Sequence, residues 1–385
     1  MIVASQIIST IEKQLRELAD PQAAMTRVRA MNLVVVADSL SVAERYTPVV
    51  DEVTASLLAR AFVVGLDPGS KEGVLVGSAV PIRAPEGGKD AVSERVSLRA
   101  QGQACLRIPS VLEAICVPEV PTVLVWLGKL HPSDAIFEQL AGRSERVVID
   151  SEYTSLSSVV ALAEFVRAHP EGPQAADLAW TRLAPWQELF ARFFDQESHA
   201  AFAHHIDRIV IAQASRPGAR LGSQAALMLG WLATRLGLHP YRAGGAVRFV
   251  RADGTEVTTD FIAVPCPQEV APATLAALSF VATRGERVHR GSIVRDLGSG
   301  GQAGATDDAD VIAWHLEPWQ GAALDQHVRL GTNKAAKWLE RTLRRPAKDM
   351  ALLESVTFAE HVAEDEVRAA TNADGIGEIP GSAGA

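Results

Sequence analysis

The sequence predicts an α/β protein with two domains: an N-terminal domain with a mostly parallel sheet and helices, followed by a strand-rich α+β domain. Three observations support this fold class. The chain has 385 residues, which is more than one ordinary hydrophobic core holds together. Its first half alternates short apolar runs, rich in β-branched residues, with segments of helical periodicity. Its second half contains several strand-like runs in close succession.

The first half alternates predicted helices and strands in the order that builds a parallel sheet. The helices are expected at 5–18, 41–61, 108–115, 133–140 and 156–167, and the strands at 31–36, 62–66, 122–126 and 146–149. Two further strands, at 73–82 and 94–100, are joined by a loop over 84–89. Two prolines and a glycine at 169–174 predict a linker, so the N-terminal domain is assigned to residues 1–170.

The C-terminal domain is assigned to residues 175–345, and its first helix is marked by tryptophans. Pro185 predicts the start of this helix, because proline fits the first helical turn. Five large apolar residues then recur at helical spacing and form one face: Trp186, Leu189, Phe190, Phe193 and Phe194. This spacing predicts a helix that packs on a core.

The rest of the C-terminal half is mostly strand-like. Strands are expected at 207–213, 246–251, 256–264, 275–283, 287–295 and 311–316, and helices at 223–237 and 333–344. The end of the chain is acidic and then rich in glycine, which predicts a disordered tail over 362–385.

The composition excludes several classes of protein. A formal net charge of −9 and a pI near 5.6 argue against a general nucleic-acid binder. No apolar run has the roughly 18 residues that a membrane-spanning helix needs. The first residues lack the pattern of a secretory signal, and the three cysteines form no Cys-x-x-Cys pair. A cytoplasmic location is therefore expected.

Four motifs lie in the order found in one protein family. They are Val117-Pro-Glu-Val-Pro-Thr-Val-Leu-Val-Trp126, Arg146-Val-Val-Ile-Asp-Ser151, Asp177-Leu-Ala-Trp-Thr-Arg-Leu-Ala-Pro-Trp186 and the helix 225–236 with Gly230-Trp-Leu-Ala233. Through them the chain resembles the OpcA family, the glucose-6-phosphate dehydrogenase assembly proteins of bacteria. The resemblance is strongest over residues 28–240.

The resemblance implies an interaction protein and not an enzyme. A member of this family is expected to bind glucose-6-phosphate dehydrogenase and to favour its active oligomer, in the oxidative pentose phosphate pathway. Such a factor needs only to bind the active oligomer more tightly than the inactive one. No cofactor is expected.

Two groups of residues are candidates for contact with the partner. Aromatic and arginine side chains are common anchors of protein interfaces, so Trp180, Arg182 and Trp186 form the first group. The alternative is that these tryptophans hold the protein's own domains together. The second group is a basic cluster on the helix that carries Trp338: Lys334, Lys337, Arg341, Arg344 and Arg345. This cluster is either a dock for an acidic partner or a solvated helix face.

A third candidate site lies at the end of the strand 146–149. Asp150 and Ser151 follow this strand, and ligands of parallel sheets gather at the carboxyl ends of strands. The pair is suited to accept sugar hydroxyls, and Arg143 is suited to hold a phosphate. The alternative role for the pair is to cap the next helix. A second hypothesis follows, in which the chain is an enzyme or sensor that binds sugar phosphates.

Other motifs predict no catalytic residue, nucleotide or metal. The loops Gly65–Lys71 and Gly298–Ala303 lack the helix that nucleotide-binding motifs place after the glycines. His199, His204, His205 and Asp207 are close in sequence, but adjacent side chains point in different directions and seldom share an ion. A redox role for Cys105, Cys116 or Cys266 is left open.

Overall fold

The structure is a computed structural model that describes residues 4–18, 29–83, 92–131, 133–243, 246–268, 270–297, 309–332, 334–345 and 348–369. The chain forms two compact units. The first comprises Met1–Asp150, Ala161–Leu178 and Ala335–Asp349, and the second comprises Ser151–Val160, Ala179–Lys334 and Met350–Ala385. Each unit is built on its own β-sheet, and the α/β fold class is confirmed.

The first unit has a seven-stranded sheet in the order β3-β4-β2-β1-β5-β6-β7. Its strands are β1 (Met31–Ala37), β2 (Ala59–Asp67), β3 (Leu75–Arg83), β4 (Val92–Gln101), β5 (Thr122–Leu127), β6 (Arg146–Ile149) and β7 (Gln174–Asp177). Neighbouring strands are parallel except for β3 and β4, which are antiparallel. The central strands are buried along nearly their whole length, which explains their continuous apolar runs.

Within the described residues, six α-helices contribute to this unit. They are α1 (Ala4–Glu17), α2 (Leu40–Leu57), α3 (Ile108–Ile115), α4 (Ala135–Ala141), α5 (Leu156–Ala168), whose first residues are grouped with the second unit, and a late helix at Ala335–Arg344. Leu33, Val35 and Val63 of the sheet belong to one hydrophobic core with residues of α2 and of the late helix.

The late helix was predicted as part of the C-terminal domain, but it belongs to the first unit. Its apolar residues Ala336, Leu339 and Leu343 are buried in the core of the first sheet. The amphipathic pattern of a helix shows which face packs, and it does not show which sheet the face packs on. The late helix therefore returns to a unit that was built more than 150 residues earlier in the chain.

The predicted linker at 169–174 is a loop inside the first unit. The strand β7 follows it directly and pairs in parallel with β6, for example at Val147 and Ala175. These ladder hydrogen bonds hold the segment to the first sheet. The first unit therefore extends to Leu178 at this point.

The second unit has a nine-stranded sheet in the order β15-β14-β13-β12-β8-β11-β10-β9, with β16 paired to β11. Its strands are β8 (Ile206–Ala214), β9 (His239–Ala243), β10 (Ala246–Val250), β11 (Glu256–Val264), β12 (Leu275–Arg284), β13 (Arg287–Arg295), β14 (Ala309–Glu317), β15 (Leu324–Thr332) and β16 (Arg368–Ala369). Most neighbours are antiparallel. The predicted strand-rich α+β architecture is confirmed.

The helices of this part of the chain are α6 (Leu178–Ala191), α7 (Glu197–Ala200), α8 (Ser223–Leu236) and α10 (Met350–His361), and the late helix of the first unit is α9 (Ala335–Arg344). The helix α6 begins at Leu178, so Pro185 lies inside it and does not start it. The predicted apolar face is confirmed, because Trp186, Leu189 and Phe193 are buried. Burial of this face offsets the one hydrogen bond that an internal proline removes.

More residues near the end of the chain have a defined structure than the sequence predicted. The helix α10 had no counterpart in the sequence analysis, although Leu352, Val356 and Ala359 follow a helical spacing and are buried. Residues 362–369 of the predicted disordered tail are ordered, with Val367 buried. Residues 370–385, the loop 84–89 and the glycine loop Gly298–Ala303 lie outside the described residues. Among the described residues, no helix is both long and apolar enough to cross a membrane.

Candidate functional site

The two residues that follow strand β6 are buried. Asp150 is 6% exposed and Ser151 is 1% exposed. The backbone carbonyl of Ser151 accepts a hydrogen bond from the hydroxyl of Ser223 at 2.8 Å. Neither residue caps α5, which begins only at Leu156. Both the capping role and open access to a sugar are therefore at odds with this geometry.

Arg143 does not join Asp150 and Ser151. It precedes β6, whereas Asp150 follows the strand, and a strand advances by about 3.3 Å per residue. The guanidinium of Arg143 instead binds the carboxylate of Glu113, with 2.6 Å between Nη1 and Oε2. The predicted phosphate and sugar site is thus divided between the two ends of one strand, and the structure does not assemble it.

The three predicted contacts on α6 are all buried. The residues Trp180, Arg182 and Trp186 are 4%, 9% and 0% exposed. The guanidinium of Arg295 lies over the ring of Trp186, 5.5 Å from its centroid. Residues with so little exposed surface have little to offer a partner directly, and they contact other residues of the protein instead. Helical spacing predicted that one face of α6 is apolar, and it did not determine whether a partner or the protein covers it.

Arg182 is part of a buried ion pair that the sequence analysis missed. Its Nη1 lies 2.8 Å from Oε2 of Glu152, and both side chains are nearly buried. Oγ1 of Thr274 lies 3.1 Å from the other carboxylate oxygen of Glu152 and 2.7 Å from the carbonyl oxygen of Ala271. The ring of the exposed Tyr153 lies 5.7 Å from the guanidinium. The signal that could have indicated this ion pair is Glu152 within the polar run 150–154, directly after a buried strand.

Three of the five cations in the predicted basic cluster, Lys337, Arg341 and Arg344, lie on α9 itself. Arg341 and Arg344 are exposed, and the guanidinium of Arg341 lies over the ring of Trp338 at 4.9 Å. Glu340 binds both Lys337, at 3.2 Å, and Arg344, at 2.9 Å. These pairings orient the cations and leave the face with more positive than negative charges.

Arg345 differs from the other cations of this cluster. It follows the last residue of α9 and is half-buried, and burial lowers the pKa of its guanidinium, with Asp349 opposing the effect. Its backbone carbonyl accepts a hydrogen bond from Nη2 of Arg146 at 2.9 Å. Arg345 is thus placed at the end of the helix, at the edge of the exposed face that Arg341 and Arg344 form.

The buried histidines lie among the aromatic side chains of the second unit. The ring centroids of His199 and His289 are 4.7 Å apart. Burial lowers the pKa of His289 to about 4, with the neighbouring His199 adding to the effect. In the part of the chain that the structure describes, no group of three or more His, Cys, Asp or Glu side chains is arranged to hold a metal ion.

The three cysteines are free thiols, of which Cys105 is buried and Cys116 is partly buried. Burial raises the pKa of the Cys116 thiol to about 11, with Arg60 opposing the effect. Burial also raises the pKa of Cys105, whose Sγ lies 3.2 Å from the carbonyl of Ala100. Both thiols are therefore poor nucleophiles at neutral pH.

These features define a two-unit α/β protein with a mostly parallel sheet in one unit, a mostly antiparallel sheet in the other and a basic helix face. Residues 59–165 match the family model described as the N-terminal domain of a glucose-6-phosphate dehydrogenase subunit. Residues 173–356 match the model of the C-terminal domain of the same subunit. The chain belongs to the OpcA family.

Proteins named as putative OxPP cycle proteins OpcA are among its relatives. The chain is 31% identical to the OpcA protein of Nostoc punctiforme over 218 residues, which cover 53% of this chain and 45% of the relative. It is 29% identical to the OpcA protein of Synechococcus elongatus over 202 residues, which cover 49% of this chain and 43% of the relative. The matched segment thus spans less than half the length of these relatives.

Solved structures whose backbones align with this chain include the 3-ketoreductase KijD10 of Actinomadura kijaniata. It is 12% identical, with a TM-score of 0.45, and the match covers 87% of this chain and 97% of the reductase. At this TM-score the likeness bears on neither the activity nor the cofactor of this chain.

Proposed function

We propose that this chain is a non-catalytic factor that binds glucose-6-phosphate dehydrogenase and favours its active oligomer. The observation that supports the proposal is the match, in order, of both domain models of one glucose-6-phosphate dehydrogenase subunit to the two halves of the chain. The mechanism needs only a difference in affinity. If the factor binds the active oligomer about 100-fold more tightly, it shifts the equilibrium by about 2.7 kcal/mol.

The exposed face of α9 is suited to contact an acidic surface of the dehydrogenase. Arg341 and Arg344 stand on one side of the helix, and Glu340 and Trp338 fix their side chains. The remainder of the chain is acidic, with a formal net charge of −9 in total. Such a local basic face on an acidic protein steers and orients an acidic partner.

The first test is a coupled assay of the same organism's glucose-6-phosphate dehydrogenase, with and without this protein, together with size-exclusion chromatography of the mixture. The proposal requires co-elution and a higher rate or a lower KM. Unchanged kinetics and separate elution, under both reducing and oxidising conditions, would refute it.

The second test addresses the face of α9. In the double variant Arg341→Glu/Arg344→Glu, the affinity for the dehydrogenase should fall, and the fall should shrink at high salt because ionic strength screens such contacts. The matched control is Lys13→Glu/Arg16→Glu on α1, where both cations are also exposed and paired with glutamates. Equal affinities of the two double variants would exclude α9 as the contact.

A further inference from the structure

Two hairpin connections of the second unit bring Trp319 and Arg287 together. The strands β12 and β13 are joined by the two residues 285–286, and β14 and β15 are joined by residues 318–323. In the ladder between β13 and β14, Arg290 pairs with Glu317, so both connections lie at the same end of the sheet. There the guanidinium of Arg287 lies over the ring of Trp319, 4.3 Å from its centroid.

Trp319 is less buried than most tryptophans of this protein. Five of the seven tryptophans are buried: Trp126, Trp180, Trp186, Trp314 and Trp338. Trp319 is half-buried in the connection after β14, and its ring is covered on one side by an exposed arginine. A tryptophan in this position leaves part of its large apolar surface in water, which has a cost in free energy.

The hairpin turn between β12 and β13 is flanked by two like charges, which do not stabilise it. Arg284 and Arg287 are directly opposite each other in the ladder of β12 and β13. Like charges at directly opposite positions destabilise a hairpin. Both arginines are exposed, and within the described part of the chain neither forms an ion pair with a carboxylate. Gly285, with φ of +63°, allows the tight turn that holds the two cations in place.

We propose that Arg284, Arg287 and Trp319, the hairpin-end cluster, form a protein-docking anchor for glucose-6-phosphate dehydrogenase. The inference rests on the proposed function and names a surface of the second unit for it. The ring of Trp319 enters an apolar pocket of the dehydrogenase, and carboxylates at the rim of that pocket pair with the two arginines. Tryptophan and arginine are the residue types that most often dominate binding energy, and local features that cost stability are expected at functional surfaces.

The charge of the cluster favours a different protein over a second copy of this chain. In a two-fold symmetric contact through this surface, the cluster would face itself. Arg284 and Arg287 of one copy would then meet the same arginines of the other, and like charges at close range repel. Carboxylates at the rim of a pocket on another protein would also relieve the repulsion between Arg284 and Arg287.

The experiment measures the affinity of the full chain for the same organism's purified glucose-6-phosphate dehydrogenase by titration calorimetry. Trp319→Ala should weaken binding by about 30-fold or more, the range of an interface hot spot. The double variant Arg284→Glu/Arg287→Glu should also weaken binding. Its loss of affinity should be larger at low salt than at high salt. Trp319→Phe should retain most of the affinity. Tyr241→Ala, which removes an exposed aromatic ring from the edge strand β9, is the matched control and should bind as the wild type does.

Each outcome decides between the proposals. If the wild-type chain does not bind the dehydrogenase, the proposed function fails and the anchor fails with it. If the wild type binds and Trp319→Ala binds within about threefold of it, with an unchanged melting temperature, only the anchor is refuted. If the wild type elutes as a dimer and Trp319→Ala as a monomer, the cluster contacts a second copy and the anchor is likewise refuted.

Discussion

The guanidinium of Arg146 on β6 donates a hydrogen bond to the backbone carbonyl of Thr342, 196 residues further along the chain, at 3.0 Å. Further bonds run to the carbonyls of Leu343, at 3.4 Å, and Arg345, at 2.9 Å. The last carbonyls of a helix have no partner within the helix. Arg146 therefore caps α9 and holds it to the first sheet, and burial lowers the pKa of its guanidinium.

Arg146→Met should destabilise the first unit. The variant keeps an unbranched side chain but removes the donor to the carbonyls of Leu343 and Arg345, at a cost of about 2–4 kcal/mol in the free energy of unfolding. The measurement is urea denaturation, with hydrogen exchange to locate the loss at α9. Arg146→Lys keeps the charge but not the planar fork of the guanidinium. Its denaturation midpoint should lie between those of Arg146→Met and the wild type. A midpoint of Arg146→Met equal to that of the wild type would contradict the capping role.

Arg182→Met should cost about 3–5 kcal/mol of unfolding free energy, because it leaves the carboxylate of Glu152 buried without its cation. The double variant Arg182→Met/Glu152→Gln removes both charges and should recover a large part of this loss. A double-mutant cycle by denaturant unfolding measures the coupling. Strictly additive effects would mean that the two side chains do not stabilise each other.

Gly230→Ala should destabilise the second unit, although alanine is the better helix former by about 1 kcal/mol. A Cβ at Gly230 would lie 2.1 Å from the backbone carbonyl oxygen of Ser355 on α10. The expected loss is about 1–3 kcal/mol, since the two helices must separate. Gly73→Ala is the control, because nothing lies within 4 Å of its Cβ position. If Gly230→Ala raised the melting temperature, α8 and α10 would not be packed this closely.

His289 should make the second unit less stable as the pH falls. Its folded-state pKa of about 4 lies below the ordinary value of 6.5, mainly because the ring is buried. Between these values the unfolded chain binds more protons than the folded chain, so stability is lost as the pH falls through this window. The full effect is about 3 kcal/mol. A second proton would bind to Nδ1 of His289. It would have no hydrogen-bond acceptor there, since Nδ1 is buried without a hydrogen-bond partner.

The test of this pH dependence compares unfolding free energies at about pH 7 and pH 5. His289→Phe keeps an aromatic ring beside Phe202 and Phe280 and should show a smaller loss than the wild type. His239→Gln, at an exposed position, serves as the control and should behave as the wild type does. A wild-type loss that persists in His289→Phe would assign the pH dependence to other groups.

The sequence alone predicted most elements of both units, because local periodicity encodes them. The strand β1 was predicted at 31–36 and found at Met31–Ala37, and the helix α8 was predicted from Ser223 and found there. Its motif around Gly230 now has a physical reason, which is the close approach of α10. The α/β fold class and the family followed from such local patterns.

The tertiary structure alone decided which surfaces are exposed and which distant residues meet. Spacing marked Trp186 as part of an apolar face, and only packing shows that the protein itself buries it. An amphipathic α9 was predicted, and only the structure assigns it to the first unit through Arg146. Periodicity depends on neighbours within one or two helical turns, whereas burial and pairing depend on contacts between residues far apart in the chain.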